Sequence, residues 1–199
     1  MAKRTLYLVR HGQYRRGTGR TSGESDGELT GIGRQQAALV GLRLRDIPVD
    51  VIHHSTLVRA RQTAEVIAAE FPGVPLRPSD LLRECIPGLP EVVPEAFRQF
   101  FASAPRSAIT DGARQAAEAL ATFFREDPGS VDRHEVVVTH GNLISHLAAQ
   151  AIGAPPGNWV RTDIHHCGIT EVCMGTRRGL TLVRHNDTGH LSRELRTEE

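Results

Sequence analysis

Two apolar runs in this chain end in the same way. Leu6–Val9 leads straight into Arg10, His11 and Gly12, and "EVVVT" at 135–139 leads into His140 and Gly141. Short runs of β-branched and aliphatic residues fit buried strands, and a following glycine lets the chain turn sharply. "VDVIHH" at 49–54 reads as another strand, and "GITEVCM" and "LTLVRH" as a hairpin around Gly175 and Gly179.

Helical stretches separate these runs. Thr30 can cap a helix that runs to about Arg45. Leu57, Ala60, Ala64, Ile67, Ala68 and Phe71 lie on one helical face that Pro72-Gly73 ends. Further helices are predicted over Pro94–Ser103, along the face Ala113, Ala116, Ala117, Leu120 and Phe124, and after the second His-Gly step. Strands alternating with helices predict a three-layer α/β/α fold, its mostly parallel sheet covered on both faces. No repeat, low-complexity tract or linker divides the sequence, so residues 1–199 are expected to form a single domain. Ligands in such folds gather at the C-terminal ends of the strands. Arg10, His11 and His140 should therefore meet at one rim.

Bulk properties exclude several classes. Lys plus Arg number 24 against 23 for Asp plus Glu, which argues against a nucleic-acid or membrane-surface binder. The three cysteines form no C-x-x-C pair and read as ordinary thiols of a reducing, cytoplasmic protein. The apolar start breaks at Arg10, too early for a signal peptide, and no run approaches a membrane span.

The residue types at the rim suit a phosphoryl group. Arg10 and Arg59 offer planar forks matched to its oxygens. Arg59 also falls in the first turn of its helix, where free N–H groups add positive potential. Arginines beside His11 depress its pKa and preserve the lone pair of a nucleophile. His140 can hydrogen-bond the transferring group, and Glu84, opening a proline-rich loop, can protonate the leaving oxygen. Arg61 rivals Arg59, and Glu91 and Glu95 rival Glu84. Gln13, Tyr14, Gly141 and Asn142 are further candidates for substrate contact, with a plain surface role the alternative for Gln13, Tyr14 and Asn142. Arg15, Arg16 and Arg20 read as a solvated loop, with greeting an acidic or phosphorylated substrate the alternative. The pairs His53-His54 and His165-His166 are not read as metal ligands, because neighbours on a strand point to opposite faces.

The order of "RHG" at 10–12, "LTGIGRQQA" at 29–37, "HSTLVRARQTA" at 54–64, "LLRE" at 81–84 and "THGN" at 139–142 resembles the histidine phosphatase, or phosphoglycerate-mutase-like, superfamily. "HGQY", "PPGNWVR", "CGIT" and "DTGHL" are similar to its serine/threonine protein phosphatase branch, although Gly12 follows the wider superfamily where that branch carries serine. Members of the branch have an N-terminal membrane anchor with no counterpart in this sequence.

The resemblance implies a phosphomonoesterase working through phosphohistidine on His11, without metal or cofactor. Arg10, Arg59 and His140 would form the phosphate pocket, and Glu84 would act as acid and then base. Phosphorylated small esters and phosphoproteins are the candidate partners, and the C-terminal hairpin could pair two chains. A phosphoglycerate mutase and a non-catalytic phosphoprotein-binding module are the alternatives.

Overall fold

The computed structural model describes residues 2–15, 27–125, 129–176 and 179–198. Its six strands lie in the order β3-β2-β4-β1-β5-β6. They are β1 Arg4–Arg10, β2 Val51–Ser55, β3 Leu76–Ser79, β4 Arg133–Thr139, β5 Ile169–Thr176 and β6 Gly179–Asp187. The first four are mutually parallel where they pair; β5 runs antiparallel to β1 and forms the expected hairpin with β6. The helices are α1 Gly31–Leu44, α2 Val58–Ala68, α3 Arg98–Ser103, α4 Arg106–Phe123 and α5 Gly141–Ala151.

Alternation along the central strands sorts the layers. Tyr7, Val9, Val136 and Val138 face one side, where they meet Ala37, Val40 and Leu44 of α1 and Ala60, Ala64 and Ile67 of α2. Leu6, Leu8 and Val137 face the other, against Ala116, Ala119 and Phe123 of α4 and Leu143, Ile144 and Leu147 of α5. This is the three-layer α/β/α arrangement, because strands buried on both faces need helices on each.

Two local readings change. Strand β3 has no signature in the sequence: it is a four-residue edge strand, largely exposed and carrying Pro78, a position where proline is tolerated. Helix α4 buries Gly112, Ala116, Ala119 and Phe123, one step round from the face read off the sequence. The reason lies at its C-terminal end, where Phe123 meets the His53 ring edge-on at 5.2 Å.

A buried ion pair ties β1 to β4. Arg4 donates Nε–H and Nη2–H to the two Glu135 oxygens, each at 2.8 Å, and Nη1–H to the carbonyls of Phe123 and Arg125 beyond α4. His53 Nε2 lies 3.2 Å from the same carboxylate. Burial alone would raise the Glu135 pKa, but the bonds from His53 and Arg4 overcome it and hold the carboxyl at about 2.

Glu135→Gln strands the Arg4 charge and should cost about 3 kcal/mol in urea unfolding at pH 7. The folded pKa lies below the unfolded one, so this contribution is present above about 4.5 and lost as pH falls towards about 2. The variant should accordingly lose less stability than the parent between pH 5 and about pH 2.

Candidate active site

The register between β1 and β4 builds the centre of the site. Arg10 lies opposite Thr139 in this parallel pair, so the next residue of each strand, His11 and His140, emerges at the same level. The His11 N–H donates to the Thr139 carbonyl at 2.9 Å, and the two imidazole centroids are 5.0 Å apart. Both side chains are buried, as are those of Arg10 and Arg59.

Arg59, the second residue of α2, connects the two rings. Its Nε–H donates to His11 Nε2 at 3.2 Å and Nη2 lies 3.1 Å from His140 Nδ1. On its far side, His11 Nδ1 is 2.9 Å from the Gly12 carbonyl, which can only accept. These partners set the tautomer: the proton sits on Nδ1 and the lone pair on Nε2. His140 is the reverse, with Nε2 reaching Ser55 Oγ at 2.9 Å and Nδ1 turned to Arg59. Both imidazole pKa values fall well below the ordinary value. Burial is the main cause, with the Arg59 and Arg10 charges adding to it, and His140 adding further at His11.

Neighbouring groups lock this arrangement. The Gly12 N–H donates to Thr63 Oγ1, which in turn donates to the Arg59 carbonyl. Gly12 lies so close to Gly33 at the start of α1 that a Cβ would come within 2.6 Å of the Gly33 carbonyl oxygen. Glycine is required here by space. Arg10 Nη1 donates to the Ile164 carbonyl, fixing that guanidinium at the rim.

Glu84 follows the short 3₁₀ turn Asp80–Leu82 and lines a cavity of about 920 Å³ together with Arg10, Tyr14, Gly141 and Asn142. Burial lifts its pKa to about 7 against the opposing pull of Arg10, Arg59 and the N–H groups of Cys85 and Asn142. The rivals separate clearly. Arg61 pairs with Glu65 on the exposed side of α2, and Glu91 and Glu95 are exposed and do not line the cavity.

Of the other candidates, Tyr14 lines the cavity, meets His11 edge-on at 5.1 Å and lies under the Arg59 guanidinium at 4.7 Å. Asn142 reaches the Cys85 carbonyl, holding the Glu84 loop to α5. Gly141 opens α5 against Arg10, with space of 3.6 Å between a Cβ there and Arg10 Nε. Gln13 goes elsewhere: its amide oxygen accepts from the Thr30 hydroxyl at the α1 N-terminus, and it is absent from the described cavity lining. Of the basic cluster, Arg16 and Arg20 lie outside the described residues.

Two residues escaped sequence reasoning. Ser55 stood there only inside the motif at 54–64, yet its hydroxyl lies 2.9 Å from His140 Nε2 and accepts a hydrogen bond from its N–H. His166 sits in a turn before β5, not on a strand, with its ring 5.5 Å from that of His11 and its Nδ1 bonded to Thr197. The adjacency of His165 and His166 gave no signal for this, because a turn sends the two rings to different neighbours. Among the described residues, no group of three or more His, Cys, Asp or Glu side chains could hold a metal ion.

A family model described as "Histidine phosphatase superfamily (branch 1)" matches residues 6–188. The chain belongs to the histidine phosphatase superfamily. It is 32% identical over 198 residues to the mitochondrial serine/threonine-protein phosphatase PGAM5 of Mus musculus, covering 96% of this chain and 65% of that protein. The chain thus spans just under two thirds of that relative's length. Among solved structures, Bacillus stearothermophilus YhfR is similar with a TM-score of 0.74 and 26% identity, over 94% of this chain and 98% of that one. The Plasmodium falciparum phosphoglycerate mutase gives 0.65 and 25%, over 97% and 96% respectively. Among the described residues no helix is long and apolar enough to cross a membrane.

The geometry makes a spectroscopic prediction. At pH 7, ¹⁵N shifts should report His11 neutral with its proton on Nδ1 and His140 neutral with its proton on Nε2. Ser55→Ala should leave the His140 proton on Nε2, because Arg59 still faces Nδ1, but shift the Nε2 resonance by removing its partner, and spare His11.

Proposed function

We propose that this protein hydrolyses phosphate monoesters through a phosphohistidine on His11. The observation that carries the reading is the tautomer at His11: a buried, neutral imidazole whose Nε2 lone pair faces Arg59. Family membership and the serine/threonine phosphatase relatives support phosphatase chemistry.

The sequence of events follows from the residues. The phosphoryl group enters with its oxygens against Arg10 and Arg59, whose charges match those that build up in transfer. A dianion there reverses the field that keeps His140 neutral. As the substrate binds, the ring takes a proton from solvent at Nδ1 and offers that N–H as a hydrogen bond to a phosphoryl oxygen, returning the proton to solvent when phosphate leaves. The His11 lone pair then forms the N–P bond while the P–O ester bond breaks, and Glu84 gives its proton to the departing alkoxide. In the second half, Glu84 as carboxylate takes a proton from water. The resulting hydroxide attacks phosphorus, and the N–P electrons return to His11 as phosphate leaves.

Glu84 can supply that first proton because its pKa is lifted to about 7. A carboxyl group at its usual value would be ionised and useless as an acid at neutral pH.

His11→Ala should lower turnover of an aryl phosphate by at least ~10³-fold. Rapid quench of the parent with ³²P-labelled substrate should give acid-labile, base-stable protein label that the variant lacks. Absence of that label from an actively hydrolysing enzyme would exclude the mechanism. Activity should also persist in EDTA.

Glu84→Gln should cost ~10²–10⁴-fold on alkyl phosphates. It should cost much less on 4-nitrophenyl phosphate, whose leaving group needs little protonation. The sign of the pH effect is set by the same group. kcat/KM for alkyl esters should fall as pH rises through about 7, where Glu84 ionises, and on the acid side only well below the ordinary imidazole value, where His11 protonates.

A further inference from the structure

The cavity outside the phosphate pocket carries information about the alcohol half of the substrate. Its wall is aromatic and apolar. Phe97 and Phe100 come from the short helical segment of residues 95–103, which buries none of its side chains fully, and Trp159 and Ile86 complete the wall. Phe97 meets Trp159 edge-to-face at 5.7 Å, and Trp159 Nε1–H donates to the Gly88 carbonyl at 2.9 Å. The loop bearing Ile86 is clamped on α4 at Gly112, where a side chain would strike the Ile86 backbone. Phe97 and Phe100 are thus held in place at the mouth and left partly exposed against the buried Trp159, although burying them would stabilise the fold.

Outside the phosphate pocket, the charged residues described at the mouth have one sign. Arg10 is the only cation among the described lining residues, and it belongs to the phosphate pocket; besides the Glu84 acid, the other ionisable carboxyl side chains there are Asp111, Asp163 and Glu198. Asp111 shares its charge with Arg114 at 3.4 Å and Glu198 with His165 at 3.1 Å. Asp163 is exposed and accepts from the N–H of Ile164. A substrate with a second anionic group would find no described cation at the mouth to receive it, and like charges face to face are strongly disfavoured.

We propose that this mouth selects phosphate monoesters whose alcohol is broad and aromatic or apolar near the phosphate and neutral or cationic at its far end. It rejects esters of small carboxylic acids such as the phosphoglycerates. The inference deepens the phosphatase reading and rests on it.

The test uses 2-phenylethyl phosphates bearing a para hydrogen, aminomethyl or carboxylate group, alongside ethyl phosphate and 3-phosphoglycerate. The two-carbon spacer keeps leaving-group acidity nearly constant across the aryl series. The matching phosphonates are titrated by fluorescence of Trp159, the single tryptophan of the chain. We expect kcat/KM for the neutral and aminomethyl esters to exceed that of the carboxylate by at least ~10-fold, and the phenylethyl ester to exceed ethyl phosphate similarly. The double variant Asp111→Asn/Asp163→Asn should narrow the gap between amine and carboxylate. Phe100→Ala should narrow that between phenylethyl and ethyl.

Equal or better turnover of the carboxylate ester or of 3-phosphoglycerate overturns the inference and leaves the phosphatase reading standing. Failure to hydrolyse any ester, 4-nitrophenyl phosphate included, overturns the phosphatase reading. The order of phosphonate affinities then decides the selectivity by itself, and tightest binding of the carboxylate form refutes it.

Discussion

One guanidinium, shared between two buried imidazoles, organises this molecule's chemistry. Arg59 donates to His11 and lies against His140, a contact possible only if both rings present lone pairs to it. A protonated imidazole at either place would set cation against cation in a site with little water to screen them. Gly12, Ser55 and Thr63 hold the three groups in this relation. The arrangement is in turn a consequence of strand register. Opposing Arg10 to Thr139 brings two His-Gly steps to one height, whereas a slip of one residue would move every side chain of β1 to the other face.

Much of this was legible in the chain. The two strands ending in His-Gly, the helix behind Ser55 and the Glu after "LL" placed Arg10, His11, Arg59, His140 and Glu84 around one rim before any coordinates. The continuous apolar runs of β1 and β4, separated by helical stretches, gave the layers. Illegible features share a physical cause, namely that they depend on contacts far apart in sequence or on turns without periodicity. His166 reaches His11 across 155 positions because a turn before β5 aims it there. Strand β3 is short, exposed and pairs along one edge, so it carries no burial pattern to read. Gln13 stands beside the catalytic motif in sequence, yet its amide is spent on the Thr30 cap. Adjacency along a chain says little about adjacency of side chains once the backbone turns.

The site also contrasts with the ion pair at the opposite end of the same two strands. Arg4 and Glu135 solve burial by mutual neutralisation, with two parallel hydrogen bonds and a carboxyl pKa near 2. Such a pair is inert towards a ligand, since Arg4, Glu135 and His53 satisfy one another inside the sheet. At the C-terminal end the chain supplies guanidinium groups and answers them with neutral imidazoles. Positive potential is left for an incoming anion, and its cost falls on the depressed basicity of His11 and His140.

Desolvation in this cleft acts on both reactive groups in the useful direction. Burial penalises whichever form is charged, so it strips the proton from an imidazole and keeps one on a carboxyl. Under the proposed mechanism it leaves His11 the lone pair of a nucleophile and Glu84 the proton of an acid; the Glu84 pKa lies near 7 despite two arginines pulling the other way. The arginines strengthen the effect on the histidine and weaken it on the glutamate. The two therefore need different distances from the guanidinium groups. The fold provides this by putting His11 at the end of a central strand, in contact with Arg59, and Glu84 on a separate loop behind Leu82. A carboxylate bonded to Arg59 as closely as His11 is would be held ionised, as Glu135 is by Arg4, and could not protonate an alcohol at neutral pH.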